Sequence, residues 1–323
     1  MITLNRRHMI GTLTGLLMGQ TLAHAQGSDK PLNLTVTWPV GGPIDSTARV
    51  LQPELSLLAA QPVVVENIPG AGGVIGLERY VARPPAVRGL LLGSNSEMIG
   101  SLLTSPNTKV KPEDFRLLAI AGLGGFLVLA RDSLPVKSFD ELVAFAKTQP
   151  ANALKFGHFG PGSLFHVAWE ELSAKVGISA LQVPYKGAAD LLRDLGVGDL
   201  DIAFVPLNQT TVNFPRVRVL GTTGRLRNPY FASLPTLDES TAARGFRYQG
   251  WYALAVTRDT PAAEADRLER WAQNAVGAAG YAQASKGMGV VVPPALSRGE
   301  LDNFYQAEIE RYRIQLKRLG LLA

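Results

Sequence analysis

Leu32-Asn-Leu-Thr-Val-Thr-Trp-Pro-Val-Gly-Gly-Pro-Ile-Asp45 is a short apolar run, a glycine pair, and then a proline that opens helix-forming sequence. Leu32 to Thr37 reads as a strand. Pro43 suits the first position of a helix, where its missing N–H costs nothing, and Asp45 then falls in the first turn, favourable against the helix dipole. The same strand–glycine turn–helix grammar recurs at Glu66-Asn-Ile-Pro-Gly-Ala-Gly-Gly-Val-Ile-Gly76 and at Phe156-Gly-His-Phe-Gly-Pro-Gly-Ser-Leu-Phe-His166. Further strands are expected at 62–66, 89–94, 126–131, 154–157, 181–184, 201–205, 217–221, 252–257 and 290–292. Many are continuous apolar runs, as in strands buried on both faces. Helix signals lie between them. Ser138-Phe-Asp-Glu141 has the form of a capping box. Ser163 opens a segment with Leu164, Ala168, Leu172 and Val176 in phase, closed by Gly177. A long terminal helix is expected over 297–319. Pro53, inside the first helical pattern, should kink or end that helix. This alternation predicts an α/β fold with mainly parallel sheets.

The chain has 323 residues, 46% apolar and 18% charged, which supports a large core in two domains or one large one and excludes disorder. Phe126-Leu-Val-Leu-Ala-Arg-Asp-Ser-Leu-Pro135 and Trp251-Tyr-Ala-Leu-Ala-Val-Thr-Arg-Asp-Thr-Pro261 loosely echo one another. These two strands are where the chain can cross between lobes and return. The expected division is lobe 1 from 26–128 plus 250–323 and lobe 2 from 129–249.

Residues 1–25 read as an export signal. Asn5-Arg-Arg7 is a positive start, Met9 to Met18 a short apolar stretch, and Ala23-His-Ala25 a cleavage signature. The stretch is half of the roughly 20 residues a membrane span needs. The Arg pair also fits a twin-arginine address. Removal of this segment takes away Arg6 and Arg7 and lowers the formal charge from +5 to +3. The remaining basic residues are dispersed, without a Lys/Arg run interleaved with aromatics, so nucleic acid is not expected. The expected location is the periplasm. There is no cysteine, and His8 and His24 leave with the signal, so His158 and His166 remain. No metal site, cofactor or catalytic residue is expected. No P-loop, nucleophile elbow or H-E-x-x-H is present, and Gly70 to Gly76 lacks the spacing of a dinucleotide fingerprint.

The glycine turns carry the chemistry. Glycine lets backbone approach a ligand closely, and a helix N-terminus adds unpartnered N–H donors and about half a positive charge. Such turns suit a carboxylate without Arg or Lys. Each also reads as an ordinary strand-to-helix connection.

At these residues the chain resembles the substrate-binding proteins of tripartite tricarboxylate transporters, the Bug-type receptors. The resemblance covers about residues 30–323. It rests on Pro39-Val-Gly-Gly-Pro-Ile-Asp45 with Ala48-Arg49, Val64-Val-Glu-Asn-Ile-Pro-Gly-Ala-Gly-Gly73, Phe156 to Ser163 with His166 and Glu170, Val183-Pro-Tyr-Lys-Gly187, Ser233-Leu-Pro-Thr236, and Trp251-Tyr with Asp259-Thr-Pro261. It implies a two-lobed periplasmic-binding-protein-like (type II) fold with a cleft between the lobes. It also implies capture of a small organic carboxylate by backbone amides and bridging waters of the first and third turns, membrane transporter subunits as partners, and a monomer. The candidate ligand-binding residues are Trp38, Val40, Gly41, Gly42, Asp45, Ala71, Gly72, Ser94, His158, Gly160, Gly162 and Ser163. The family usually has a small residue where this chain has His158, which reads either as a contact to the distal end of the ligand or as a strand-end residue bonded to backbone. Trp38 reads as a ligand platform or as core. Asp45 reads as a residue shaping the turn, and as a direct contact if the ligand carries an amine. Two rivals stand beside the receptor: a ligand-presenting sensor for a two-component system, and a hydrolase using Ser163 and His166.

Overall fold

The computed structural model describes residues 31–224 and 227–322, so the expected export signal lies outside the described residues. Ten strands form two five-stranded sheets. The first sheet holds β1 (Leu32–Val36), β2 (Val63–Asn67), β3 (Leu90–Ser94), β4 (Phe115–Gly124) and β10 (Gly250–Thr257), in the order β2-β1-β3-β10-β4. The second holds β5 (Phe126–Arg131), β6 (Lys155–His158), β7 (Leu181–Pro184), β8 (Ile202–Pro206) and β9 (Val217–Thr222), in the order β7-β6-β8-β5-β9. Helices α1 (Pro43–Ala59), α2 (Val74–Val81) and α3 (Leu164–Val176) each come after a glycine turn, and the long α4 (Arg298–Arg318) lies near the end of the chain.

Both sheets are mixed rather than mainly parallel. β1 pairs in parallel with β2 and β3, and β6 with β7 and β8. β10 runs antiparallel to β3 and β4, and β5 antiparallel to β8 and β9. The antiparallel strands adjoin the passages between sheets. Gly125 alone separates β4 from β5, and β10 starts where the chain returns to the first sheet. A chain that arrives directly from the other sheet enters without a crossover helix, so nothing forces it parallel. The whole of β5, from Phe126, pairs within the second sheet.

Three expectations are corrected. The longest strand, β4, is absent from the sequence reading: Phe115-Arg-Leu-Leu-Ala-Ile-Ala-Gly-Leu-Gly124 runs through Gly125 into the apolar run of β5 and has no clean alternation of its own. The segment expected as a strand at 290–292 makes only an isolated bridge, Val291 to Leu123. Pro53 does not break α1, which continues for 17 residues. Proline removes one hydrogen bond there, and the buried face of Ile44, Ala48, Leu51 and Leu55 carries the helix through it.

Two apolar clusters lie one against each sheet, and a third, larger one joins them. The joining cluster runs from Leu77, Met98 and Phe115 of the first half through Phe126, Phe156 and Trp169 of the second, and includes Leu301, Tyr305, Ile309, Tyr312 and Leu316 of α4. Ser297 and Glu300 form the capping box that starts α4, and Tyr305 ties the helix to the first half by donating to the carbonyls of Met98 and Pro112. Trp169, on α3, stacks on Phe156 of β6 at 4.1 Å and is 1% exposed. Replacing Trp169 with Ala is expected to cost about 3–5 kcal/mol of folding stability, read from the urea midpoint.

Candidate functional site

The first turn joins β1 to α1. Gly42 caps α1 without a side-chain hydrogen bond, and Pro43 follows as the first helical residue. Gly41 has φ +83°, the left-handed region that a β-carbon disfavours, and the neighbouring Val40 is 68% exposed. Asp45, 2% exposed, turns back on the turn, where its Oδ2 accepts from the Gly41 N–H at 2.9 Å and from Arg49 Nε at 2.9 Å. Burial pushes the Asp45 carboxyl up, but the hydrogen bonds from Arg49 and Gly41 outweigh it and hold the group below its ordinary value. Asp45 therefore shapes the turn. The Gly41 and Gly42 amides are spent on Asp45 and on the Pro39 carbonyl. The next first-turn amides, of Ile44 and Asp45, have no intrahelical partner by the geometry of an α-helix.

The third turn differs. Ser163 caps α3 in the expected way, with Oγ accepting from the His166 amide at 3.3 Å, and Gly177 closes the helix in the left-handed region. Its amides are largely engaged. Gly162 donates to His166 Nδ1 at 3.0 Å, Leu164 donates to Ser96 Oγ at 3.4 Å, and Gly160 lies 3.2 Å from His158 Nδ1. Ser163 Oγ meets the backbone of His166, not its ring, so the two do not form a nucleophile–base pair. The two imidazoles stack at 4.8 Å. His158 is 3% exposed, and burial, helped by His166 beside it, lowers its pKa to about 4, so the ring is neutral at pH 7. His166 is lowered by burial as well.

The second turn, Ala71 with Gly72 and Gly73, makes one 3-10 turn before α2. Ala71 is exposed, and a β-carbon on Gly72 would press on Ser101. Ser94 ends β3 but does not face a ligand freely. Its amide donates to Glu97 Oε1 at 2.6 Å, and its hydroxyl bonds Glu97 Oε2.

These contacts expose residues that the sequence reading missed. The segment from Asn95 to Thr104 lies against all three turns. Glu97 packs on Gly73 and bonds Ser94, and the Trp38 indole N–H acts on its carboxyl without the geometry of a full hydrogen bond. Ser96 takes the Leu164 amide, and Gly100 and Thr104 touch Gly162, whose φ is +72°. Asn95 Oδ1 accepts from Trp251 at 3.4 Å. Thr37 Oγ1, Trp38 Nε1, Asp45 Oδ1 and Asn95 Nδ2 are buried and lack a standard hydrogen bond, so four of the seven such atoms among the described residues sit around the first turn and the end of β3. The role of Glu97 was hidden because Ser94-Asn-Ser-Glu97 reads as an ordinary polar turn after a strand and matches no motif. A separate cavity of about 300 Å³ beside the crossing strands is lined by Leu123, Gln249, Gly250, Trp251, Glu308 and Arg311. Its charges are already paired, since Glu308 takes both Trp251 Nε1 and Arg311.

Residues 47–321 match the family described as the tripartite tricarboxylate transporter family receptor. The chain belongs to that family. It is 30% identical to an Agrobacterium vitis protein from the TAR-I ttuE-ttuC' intergenic region, over 95% of this chain and 90% of that one. It is 29% identical to Protein BugT of Bordetella pertussis, over 90% of each. The periplasmic binding protein BugD superposes with a TM-score of 0.80 at 25% identity, covering 90% of this chain and 98% of that one. An R. palustris protein solved with adipate superposes with a TM-score of 0.81 at 25% identity, covering 90% of this chain and 97% of that one. The two-lobed binding-protein fold expected of the resemblance is therefore the fold of this receptor.

The neutral state of His158 has a pH consequence. Its folded pKa of about 4 lies below the ordinary 6.5, so the unfolded chain takes up the proton first as pH falls. The stabilisation is complete above about pH 6.5 and is lost progressively towards pH 4, on the order of 3 kcal/mol at most. A His158→Asn variant should flatten this part of the stability–pH curve, measured by urea unfolding at stepped pH.

Proposed function

We propose that the chain is an extracytoplasmic receptor that captures a small organic carboxylate between its two lobes and delivers it to a tripartite tricarboxylate-type transporter. The observation that carries this reading is the asymmetry of the two helix starts. The α1 start has no side-chain cap and keeps its Ile44 and Asp45 amides for a ligand, whereas at the α3 start Ser163 takes the His166 amide and Ser96 that of Leu164, which leaves the Phe165 amide. A carboxylate at α1 gains the helix-terminus interaction, up to about 2 kcal/mol where partly buried. Trp38, Val40, Ala71, Gly72 and Ser94 flank that position, and the third turn with Gly160, Gly162 and His158 closes from the other lobe. His158 then offers Nε2 to the distal end of the ligand as a neutral group. Adipate on the R. palustris relative supports an acid as ligand.

The lobes in this reading are the two sheets with their helices. In this reading the first crossing is taken at Gly125 and the second near Gly250, which the pairing of β5 within the second sheet supports. Closure follows a ligand that binds the closed arrangement more tightly than the open one. The reading needs no covalent step and no cofactor. It places the protein in the periplasm as a monomer, exported by residues 1–25.

Thermal melting against paired acids and amides tests it. A carboxylate at about 100 times its Kd adds about 2.7 kcal/mol and raises Tm by a few degrees, while the matching amide does not. A panel in which no acid shifts Tm, but an ester or nucleotide does, contradicts the reading. Ser163→Ala should weaken acid binding by about 1 kcal/mol through loss of the α3 cap, with no turnover of esters in either form. Ester hydrolysis that vanishes with Ser163→Ala would instead make the chain an enzyme.

A further inference from the structure

Glu97 is fully buried, yet among the described residues none of its polar contacts is with a cation. The titratable groups it faces from packed elements are Tyr252 of β10 and Tyr305 and Tyr312 of α4, phenols that burial keeps neutral. Around its carboxyl converge the Ser94 amide and hydroxyl, the Trp38 indole N–H and the backbone of Gly93, while its Cβ and Cγ pack on Gly73. These belong to the end of β1, the second turn and the end of β3, which are the walls of the proposed ligand site. A buried carboxylate without a partner costs far more than a buried acid that both accepts and donates hydrogen bonds.

We propose that Glu97 is a positioning residue of the receptor site, working as a neutral acid that pins Trp38, Gly73 and Ser94 in one arrangement. A neutral carboxyl accepts from the Ser94 amide through one oxygen and shares the proton of the other with the Ser94 hydroxyl. It adds no negative charge beside the α1 start, where a ligand carboxylate is expected. Burial, which drives its pKa up, agrees with this state. An ionised Glu97 would keep accepting from Ser94 and Trp38, but it would set an unneutralised charge in a desolvated pocket beside the expected ligand carboxylate, so stability and affinity both fall as pH rises. The link to affinity rests on the carboxylate-receptor reading, but the link to folding does not.

The test compares the intact protein with Glu97→Gln and Glu97→Ala, following urea unfolding between about pH 5 and pH 9 and binding of adipate by calorimetry. Because the folded pKa lies above the unfolded one, the wild type should lose stability relative to Glu97→Gln as pH rises. Adipate affinity should weaken with pH in the wild type and stay flat in Glu97→Gln. At the low end of the range Glu97→Gln should bind within about threefold of wild type, and Glu97→Ala should bind at least about tenfold more weakly. Parallel stability–pH curves for wild type and Glu97→Gln overturn the proposal, as does a Glu97→Gln chain that does not fold, or a Glu97→Ala chain that binds like Glu97→Gln. Absence of adipate binding in all three, with other acids also inert, removes the receptor reading, while the stability curves still decide the state of Glu97.

Discussion

The structure depends on one buried carboxyl and the backbone it can approach. Glu97 sits where the end of β1, the second glycine turn and the end of β3 meet, and it is reached by backbone rather than by cationic side chains. Its Cβ lies so close to Gly73 that any side chain there would collide with it. The same economy operates across the lobes, where Gly100 and Gly162 bring the first half against the start of α3. Close backbone contacts of this kind leave little room for slack, so the turns hold their shape before any ligand arrives.

That rigidity is distributed unevenly. The third turn is braced by two stacked imidazoles, each set against a glycine amide of its own turn, and by the Ser163 cap. The first turn is braced by Asp45 reaching back to Gly41 and out to Arg49, by the Gly42 amide on the Pro39 carbonyl, and by Asn67 Nδ2 donating to the Trp38 carbonyl at 3.0 Å. Arg49 is half exposed, so this ion pair adds modestly to stability and chiefly orients the carboxylate. The apolar cluster shared by both sheets, with α4 laid into it, keeps the two halves together on one side. A chain that crosses twice between sheets and is clamped beside the crossings can move as two bodies about those strands.

The strand–turn–helix grammar was legible at β1 and β6 because a glycine turn followed by proline or serine has few alternatives, and at β2 from the glycine cluster itself. β4 was not legible, since a ten-residue apolar run says nothing of its neighbours. Nor was the direction of β5 and β10 legible, because strand polarity depends on which sheet the chain enters.

Among the site residues, the glycines and the Ser163 cap could be named from local pattern. The roles of Asp45, Ser94 and His158 could not. Whether a carboxylate faces a ligand or its own turn, and whether an imidazole is charged, depends on burial and on neighbours far along the chain. Glu97 is the clearest case. Local sequence determined only that an acid follows Ser94-Asn-Ser96, while the strand and helix patterns pointed to an α/β fold and the glycine turns to an anion site, the receptor role coming from the family resemblance. Only the tertiary structure decided that this acid is buried beneath Trp38 and Gly73 with no cation beside it, because desolvation is a property of what packs around a residue and not of the residue itself.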